Sequence, residues 1–218
     1  MTITYDDTSI MPEAPGLNQR QFWDERYREE AWAYGCAPND FLRQQAEGLP
    51  RGDALCLAEG QGRNGVYLAE LGHRVTIQDL SPVGLECARR LASQRGVNIR
   101  CLCCDLSSFE PEPQSVDLVV AIWMHLPPAL RATVHQRALR ALRPGGMLIL
   151  EAYTPRQLGL DSGGPPTAEL LIEPEQLRQE WPGLQWLVLE ERRRWIEEGA
   201  YHRGDSAVVQ ACGRKPDT

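Results

Sequence analysis

"LCLAEGQGRNGVYLAELGHRVTIQDLSP", Leu55 to Pro82, holds a glycine turn between two apolar runs. Gly60-Gln61-Gly62-Arg63-Asn64-Gly65 fits G-x-G-x-x-G, and Asp79 follows nineteen positions after Gly60. Such a turn lets a ligand approach the backbone at a helix N-terminus, and an acid after the next strand accepts hydrogen bonds from a ribose diol. The pattern predicts an adenosine-type ligand and does not choose one. A turn that only reverses the chain is the alternative. Glu59, directly before Gly60, disfavours a pyrophosphate and suits a cation. Arg63 weighs the other way, since it can pair with a phosphate or a carboxylate.

Outward from the turn the chain alternates. "DALCLA" (53–58) reads as a buried strand, and "RNGVYLAEL" (63–71) as a helix stopped at Gly72. "HRVTIQD" (73–79) is the next strand. Ser81 caps and Pro82 opens the helix 82–95, which Gly96 ends. "NIRCLCCD" (98–105) is a third, buried strand, and "SVDLVVAIWM" (115–124) a fourth. "PPALRATVHQRALRALR" (127–143) is a helix with Leu130, Val134, Ala138 and Ala141 on one stripe, and "GGMLILEAY" (145–153) a fifth strand. This alternation predicts parallel βαβ units in one sheet with helices on both faces. A proline- and glycine-rich loop, a short helix at 174–181 and a long hairpin (184–198 and 205–215) follow, so the last strand is antiparallel. Upstream, Asn18 is read as the cap of a helix through 19–33, Asn39 as the cap of a second short helix, and 18–48 as a helical lid. Residues 1–17 are expected to be a loose terminal segment.

The 218 residues suffice for one α/β domain with a sizeable core. With 23 basic and 30 acidic residues the net charge is −7, which gives no general attraction to nucleic acid. No apolar run is long enough to span a membrane. The first sixteen residues lack the basic and apolar regions of a secretory signal, so a cytoplasmic protein with reduced thiols is expected. Among the seven cysteines, Cys101, Cys103 and Cys104 read as small buried hydrophobes. No spacing fits a zinc site.

Further residues bear on the ligand. Asp105, with Leu106 after it, can accept from an adenine amino group while the Leu106 N–H donates to the ring; its alternative is a turn cap. The terminal hairpin stands where a dinucleotide fold needs its second half. An NAD-binding oxidoreductase is therefore the weaker alternative.

Taken together, "FWDERY…YGCAPNDFL", the glycine-turn stretch through "SPVGL", "HLPPALR", "LRPGGMLILEAYTPRQL" and "GAYHRG" resemble the class I S-adenosylmethionine-dependent methyltransferases, and among them small bacterial members of the tellurite-resistance group. The resemblance covers about Phe22 to Lys215. It implies a three-layer Rossmann-like sheet of order 3-2-1-4-5-7-6 with strand 7 antiparallel, and S-adenosylmethionine as methyl donor with S-adenosylhomocysteine as product. It implies that Ala58, Glu59, Gly60, Gly62 and Asn64 wrap the methionine part. Asp79, with Leu80 and Ser81, would hold the ribose, Asp105 and Leu106 the adenine, and Ile122 and Trp123 would line the sulfonium. Two positions depart from the family: Cys56 replaces the strand-one acid, and Ala58 the first loop glycine, with Glu59 as a substitute acid.

The acceptor is expected beyond the carboxyl ends of the strands, where His125, Tyr153, Tyr201 and His202 converge. His125, His202 and Tyr153 are the candidate catalytic residues, the histidines as bases for a protic acceptor. His73 and His135 read as surface residues, and Arg192-Arg193-Arg194 as charges that block edge pairing. The expected acceptor is a small molecule, a thiol or chalcogen oxyanion; a flat apolar molecule fits the aromatic lid equally. No metal is expected, and the chain reads as a monomer or weak homodimer. A catalytically inactive S-adenosylmethionine-binding sensor is the remaining alternative.

Overall fold

A computed structural model describes residues 17–29 and 32–217. The strands are β1 (Asp53–Cys56), β2 (Arg74–Asp79), β3 (Ile99–Cys103), β4 (Val116–Ile122), β5 (Leu142–Tyr153), β6 (Gln185–Glu198) and β7 (His202–Arg214). They form one sheet in the order β3-β2-β1-β4-β5-β7-β6. β1 to β5 are parallel, and β7 runs antiparallel between β5 and β6. The helices are α1 (Leu17–Glu29), α2 (Asp40–Ala46), α3 (Arg63–Glu70), α4 (Pro82–Arg95), α5 (Pro128–Ala141) and α6 (Pro174–Glu180). The expected architecture and strand order are what the structure has.

Local chemistry explains the boundaries. The Ser81 hydroxyl accepts from the Gly84 N–H, Pro82 opens α4, and Gly96 ends it in the left-handed region at φ 68°. Asn39 accepts from the Leu42 N–H and caps α2. Apolar side chains divide between the two faces. Leu55, Val119, Leu148, Val134, Ala138 and Trp181 fill one cluster under α5 and α6. Ala54, Ile77, Leu85, Leu118 and Ile149 fill the other, with Phe41 and Leu42 of α2.

Several expectations need correction. β3 is the edge of the sheet, so Cys103 is exposed and Cys101 and Cys104 only half-buried. His135 is fully buried, because α6 folds over α5: its Nδ1 lies 2.7 Å from Glu180, and its ring packs on Trp181. His73 is buried and accepts from the Gly52 N–H through Nδ1. β6 is an edge strand, but only Arg192 and Arg193 of its arginine run face solvent, while Arg194 turns inward. α1 ends at Glu29, and residues 32–34 form a turn. The loose segment expected at 1–17 falls, up to residue 16, outside the described residues. Asn18 lies within the first turn of α1, and its side chain is outside them too.

The glycine turn depends on a close approach. Gly62 has φ 86°, and a Cβ there would sit 2.5 Å from the Ala88 Cβ. Gly62→Ala therefore forces both a strained backbone and an overlap with α4. We expect a loss of about 2–4 kcal/mol in urea unfolding. A variant as stable as the parent would mean that the α3–α4 contact is looser than it looks.

Candidate active site

The carboxyl ends of β1, β2 and β4 open into a cleft of about 200 Å³. Its floor is the loop after β1. Ala58 there takes φ 48° and Trp123, at the end of β4, φ 58°. A bulky side chain in the left-handed region is an outlier that its surroundings must enforce. Trp123 is enforced from three sides. Its N–H donates to the Glu151 carbonyl at 2.8 Å, its Nε1 donates to Glu198 at 2.6 Å, and its ring stacks on Tyr153 at 4.5 Å. Ala58 is held by its N–H, which donates to Oε1 of Gln78 at 3.1 Å, while Nε2 of Gln78 donates to the Cys104 carbonyl. Both strained residues line the cleft.

Three carboxylates face this floor. Glu59 accepts from the N–H groups of Asn64 and Gly65 at 2.8 and 2.9 Å, which places a negative group on the N-terminus of α3. Burial raises its pKa to about 7, against the pull of those N–H groups and of Arg63. Asp79 accepts from Gly60 N–H at 2.7 Å and Ser81 N–H at 2.8 Å, and burial raises its pKa to about 6. Asp105 accepts from Ser107 N–H at 2.7 Å through Oδ1, so its turn-capping role is real.

Beneath the cleft lies a cluster of buried charges. Arg194 makes two bonds to Glu151, at 2.9 and 2.7 Å, and one to Glu198 at 3.0 Å. Arg63 pairs with Glu198, so it is not a spare charge for a ligand. Asn39 donates to both glutamates, and Gln210 to Glu151. Burial alone would raise the Glu198 pKa, but the charge of Arg63 leads a set of partners that hold it down to about 2.

Of the expected cofactor residues, Ala58, Glu59, Gly60, Asn64, Asp79, Leu80, Asp105, Leu106, Ile122 and Trp123 line the cleft. Gly62 packs on α4 and Ser81 caps it, so these two shape the site from behind. His125 and His202 also line it. Tyr153 does not: it is fully buried behind Trp123, and its hydroxyl donates to the Ser162 carbonyl. Both nitrogens of His125 are engaged, Nδ1 with the Leu170 carbonyl at 3.0 Å and Nε2 with the Tyr153 N–H at 3.5 Å. Burial lowers its pKa to about 4. His202 differs, because its buried Nδ1 has no partner. Burial lowers its pKa to about 3, with Glu198 pulling the other way.

Sequence reasoning missed Tyr27, Arg26, Gln78 and the glutamate cluster. Tyr27 stands against Gly60 and Gly84, where an added Cβ would meet its ring. Tyr27 falls within the helix read through 19–33, and no local signal aims it at a glycine turn more than thirty residues away.

A ligand for this site must tolerate an acidic floor and approach a glycine backbone, which suits a ribose and a cation and opposes a pyrophosphate. Residues 54–146 match the family described as "Methyltransferase domain". The chain carries a class I S-adenosylmethionine-dependent methyltransferase domain. S-adenosylmethionine is the methyl donor of this methyltransferase. It is 26% identical over 160 residues to a 2-heptyl-1-hydroxyquinolin-4(1H)-one methyltransferase of Mycobacteroides abscessus, covering 68% of this chain and 70% of that one. It is 33% identical over 101 residues to a tRNA 5-carboxymethoxyuridine methyltransferase of Escherichia coli, covering 43% of this chain and 37% of the relative. The structure of TehB from Haemophilus influenzae superposes with a TM-score of 0.68 at 18% identity, over 90% of this chain and 66% of that one. Among the described residues no helix is long and apolar enough to cross a membrane.

The raised pKa of Glu59 has a sign that can be checked. Its folded value, about 7, lies above its ordinary 4.5. The folded protein therefore binds the proton more tightly, and stability falls as pH rises from about 4.5 through 7. Glu59→Gln keeps an oxygen for the two N–H groups and removes the charge. In urea unfolding of the protein without ligand, we expect the variant to be more stable at pH 8 by up to about 3 kcal/mol, with the gain vanishing near pH 4.5. A gain equal at both pH values would assign it to packing.

Proposed function

We propose that this methyltransferase acts on a small, flat molecule presented to the donor through the aromatic mouth of the cleft. The observation that carries this reading is the wall itself. Phe22, Trp23, Tyr34, Trp123 and Tyr201 line the cleft of about 200 Å³ together with Pro165 and Pro166. Ring faces favour a planar acceptor, and a mouth this size has no basic track for a polynucleotide. The Mycobacteroides abscessus relative, named for a hydroxyquinolone, supports a flat fused-ring acceptor. The resemblance to the tellurite-resistance group supports a thiol or chalcogen oxyanion.

The donor supplies a methyl group on a sulfonium, so the protein's part is mainly alignment and exclusion of water. In this reading Asp79 accepts from the ribose diol, with Leu80 beside it. Asp105 accepts from the adenine amino group and the Leu106 N–H donates to the ring. Glu59, with Ala58, Gly60 and Asn64, faces the cationic methionine end. Ile122 and Trp123 line the sulfonium and adenosine and leave the methyl open to the acceptor. His202, whose Nδ1 has no partner among the described residues, is the group available for a hydrogen bond with an acceptor; His125 is committed to the backbone of Leu170 and Tyr153. α1, with Tyr34 and Gly35, covers the cleft as a lid.

Thermal melts separate donor from dinucleotide. At 100 times its dissociation constant a ligand stabilises by about 2.7 kcal/mol. S-adenosylhomocysteine and S-adenosylmethionine should raise the melting temperature and NAD should not; a shift with NAD alone overturns the reading. Asp79→Ala should weaken S-adenosylhomocysteine binding about tenfold or more by calorimetry, and unchanged affinity would misplace the ribose. Turnover is tested by S-adenosylhomocysteine release with thiols, hydroxyquinolones, phenols, selenite and tellurite. Binding without release in any of them favours a cofactor-binding sensor.

A further inference from the structure

The charges that line the cleft are answered within the protein, with one exception. Glu59, Asp79 and Asp105 accept backbone N–H groups, and Arg63 pairs with Glu198. Arg26 has no carboxylate partner among the described residues. It follows from the winding of α1 that Arg26 and Tyr27 diverge: Tyr27 goes to the glycine turn, and Arg26 to the hairpin side of the mouth. The Arg26 guanidinium lies 3.8 Å from the ring centre of Tyr201 and 5.0 Å from that of Phe22. Among the described residues its hydrogen bond is to the Tyr34 hydroxyl, long at 3.5 Å. Ring contacts hold the cation by its face and leave the planar donor edge open, which is the edge that recognises an anion.

The same end of the cleft holds the unpartnered Nδ1 of His202, 93% buried, with the ring of Tyr34 at 4.6 Å. Arg26 therefore belongs to the acceptor side, away from the acidic floor. We propose that Arg26 is a specificity residue that holds the negatively charged group of the methyl acceptor, so that the acceptor enters as a thiolate, aryloxide or oxyanion. This rests on the small-molecule methyltransferase reading above. A guanidinium in hydrogen-bond reach favours the ionised form of a protic group. The two cleft histidines are buried and weakly basic, so a cation that favours ionisation does what they do poorly. The acceptor's proton is then lost to solvent before binding, and no protein base has to take it.

Calorimetry on the full chain tests this without turnover. Wild type, Arg26→Gln and Arg26→Lys are saturated with S-adenosylhomocysteine. Each is titrated with 4-nitrophenol at a pH where it is ionised, and with nitrobenzene as its neutral counterpart. Wild type should bind the anion about tenfold more tightly than the neutral ring. Arg26→Gln should lose most of that preference while its affinities for nitrobenzene and for S-adenosylhomocysteine stay unchanged. Arg26→Lys should keep an intermediate preference. No preference in wild type, or an undiminished one in Arg26→Gln, overturns the proposal. So does a loss that falls on S-adenosylhomocysteine, which would put Arg26 on the donor's own carboxylate. If wild type fails to bind S-adenosylhomocysteine, the methyltransferase reading fails, and this inference with it. If it binds and shows no anion preference, only this inference fails. Should Arg26→Gln not fold, the wild-type comparison and Arg26→Lys still decide.

Discussion

Glu151 on β5 and Glu198 at the end of β6 are carboxylates taken out of water at the carboxyl end of the sheet, held by Arg194 and Arg63. Removing a charge from water costs several kcal/mol, and attraction offsets that only where the remaining lone pairs are also satisfied. Here they are, by Asn39, Gln210 and Trp123. The partners come from the loop before α2, the start of α3, the end of β4 and the strands β5, β6 and β7. Each must be in register for the set to close, so the cluster is a constraint on assembly more than a source of net stability. It ties the terminal hairpin to the glycine turn through Arg63, and the loop before α2 to the sheet through Asn39. Without it, Trp123 would have no acceptor for its Nε1 and little reason to keep a left-handed backbone.

That strain in turn shapes the cleft. A tryptophan leaving a strand in the ordinary extended conformation would carry its ring along the strand direction. With φ 58° the chain bends, and the ring lies flat on Tyr153 at the boundary between floor and mouth. Ala58 makes the matching bend at the end of β1. Glycine would do so without strain, and the substitution means that Gln78 and the surrounding backbone must supply what the residue itself does not. The site is thus held at the points where strands β1 and β4 end.

What was legible in the sequence follows from range. The alternation of strand and helix, the caps at Asn39, Ser81 and Gly96, and the glycine turn with Asp79 are local patterns, and they carried the parallel units and the antiparallel hairpin, while the strand order came from the family resemblance. The burial of His73 and His135 was not legible, because each depends on an element distant in the chain. His135 sits mid-helix among polar neighbours, and only α6, with Glu180 and Trp181, buries it. Arg194 is one of three consecutive arginines, and nothing local distinguishes it from the two that face solvent. Arg63 seemed a charge for a ligand, since its true partner is 135 positions away. The mouth was foreseen as a place where loops converge. That Tyr153 falls behind it was not, since the last residue of a strand can face either way.

The cleft that results is polarised along its length. Three carboxylates stand around the glycine turn, and Arg26, which among the described residues of the cleft lining is the cation without a carboxylate partner, stands at the aromatic mouth. A sulfonium is attracted to the first region and repelled from the second, while an anionic acceptor experiences the reverse. The two ends therefore sort donor and acceptor into opposite halves before any specific contact forms. Glu59 strengthens this arrangement at a cost, because a carboxylate buried on the floor is itself destabilised until a cation arrives to meet it. A cation that meets Glu59 would relieve that cost, so the charge that destabilises the empty cleft is the one that favours filling it.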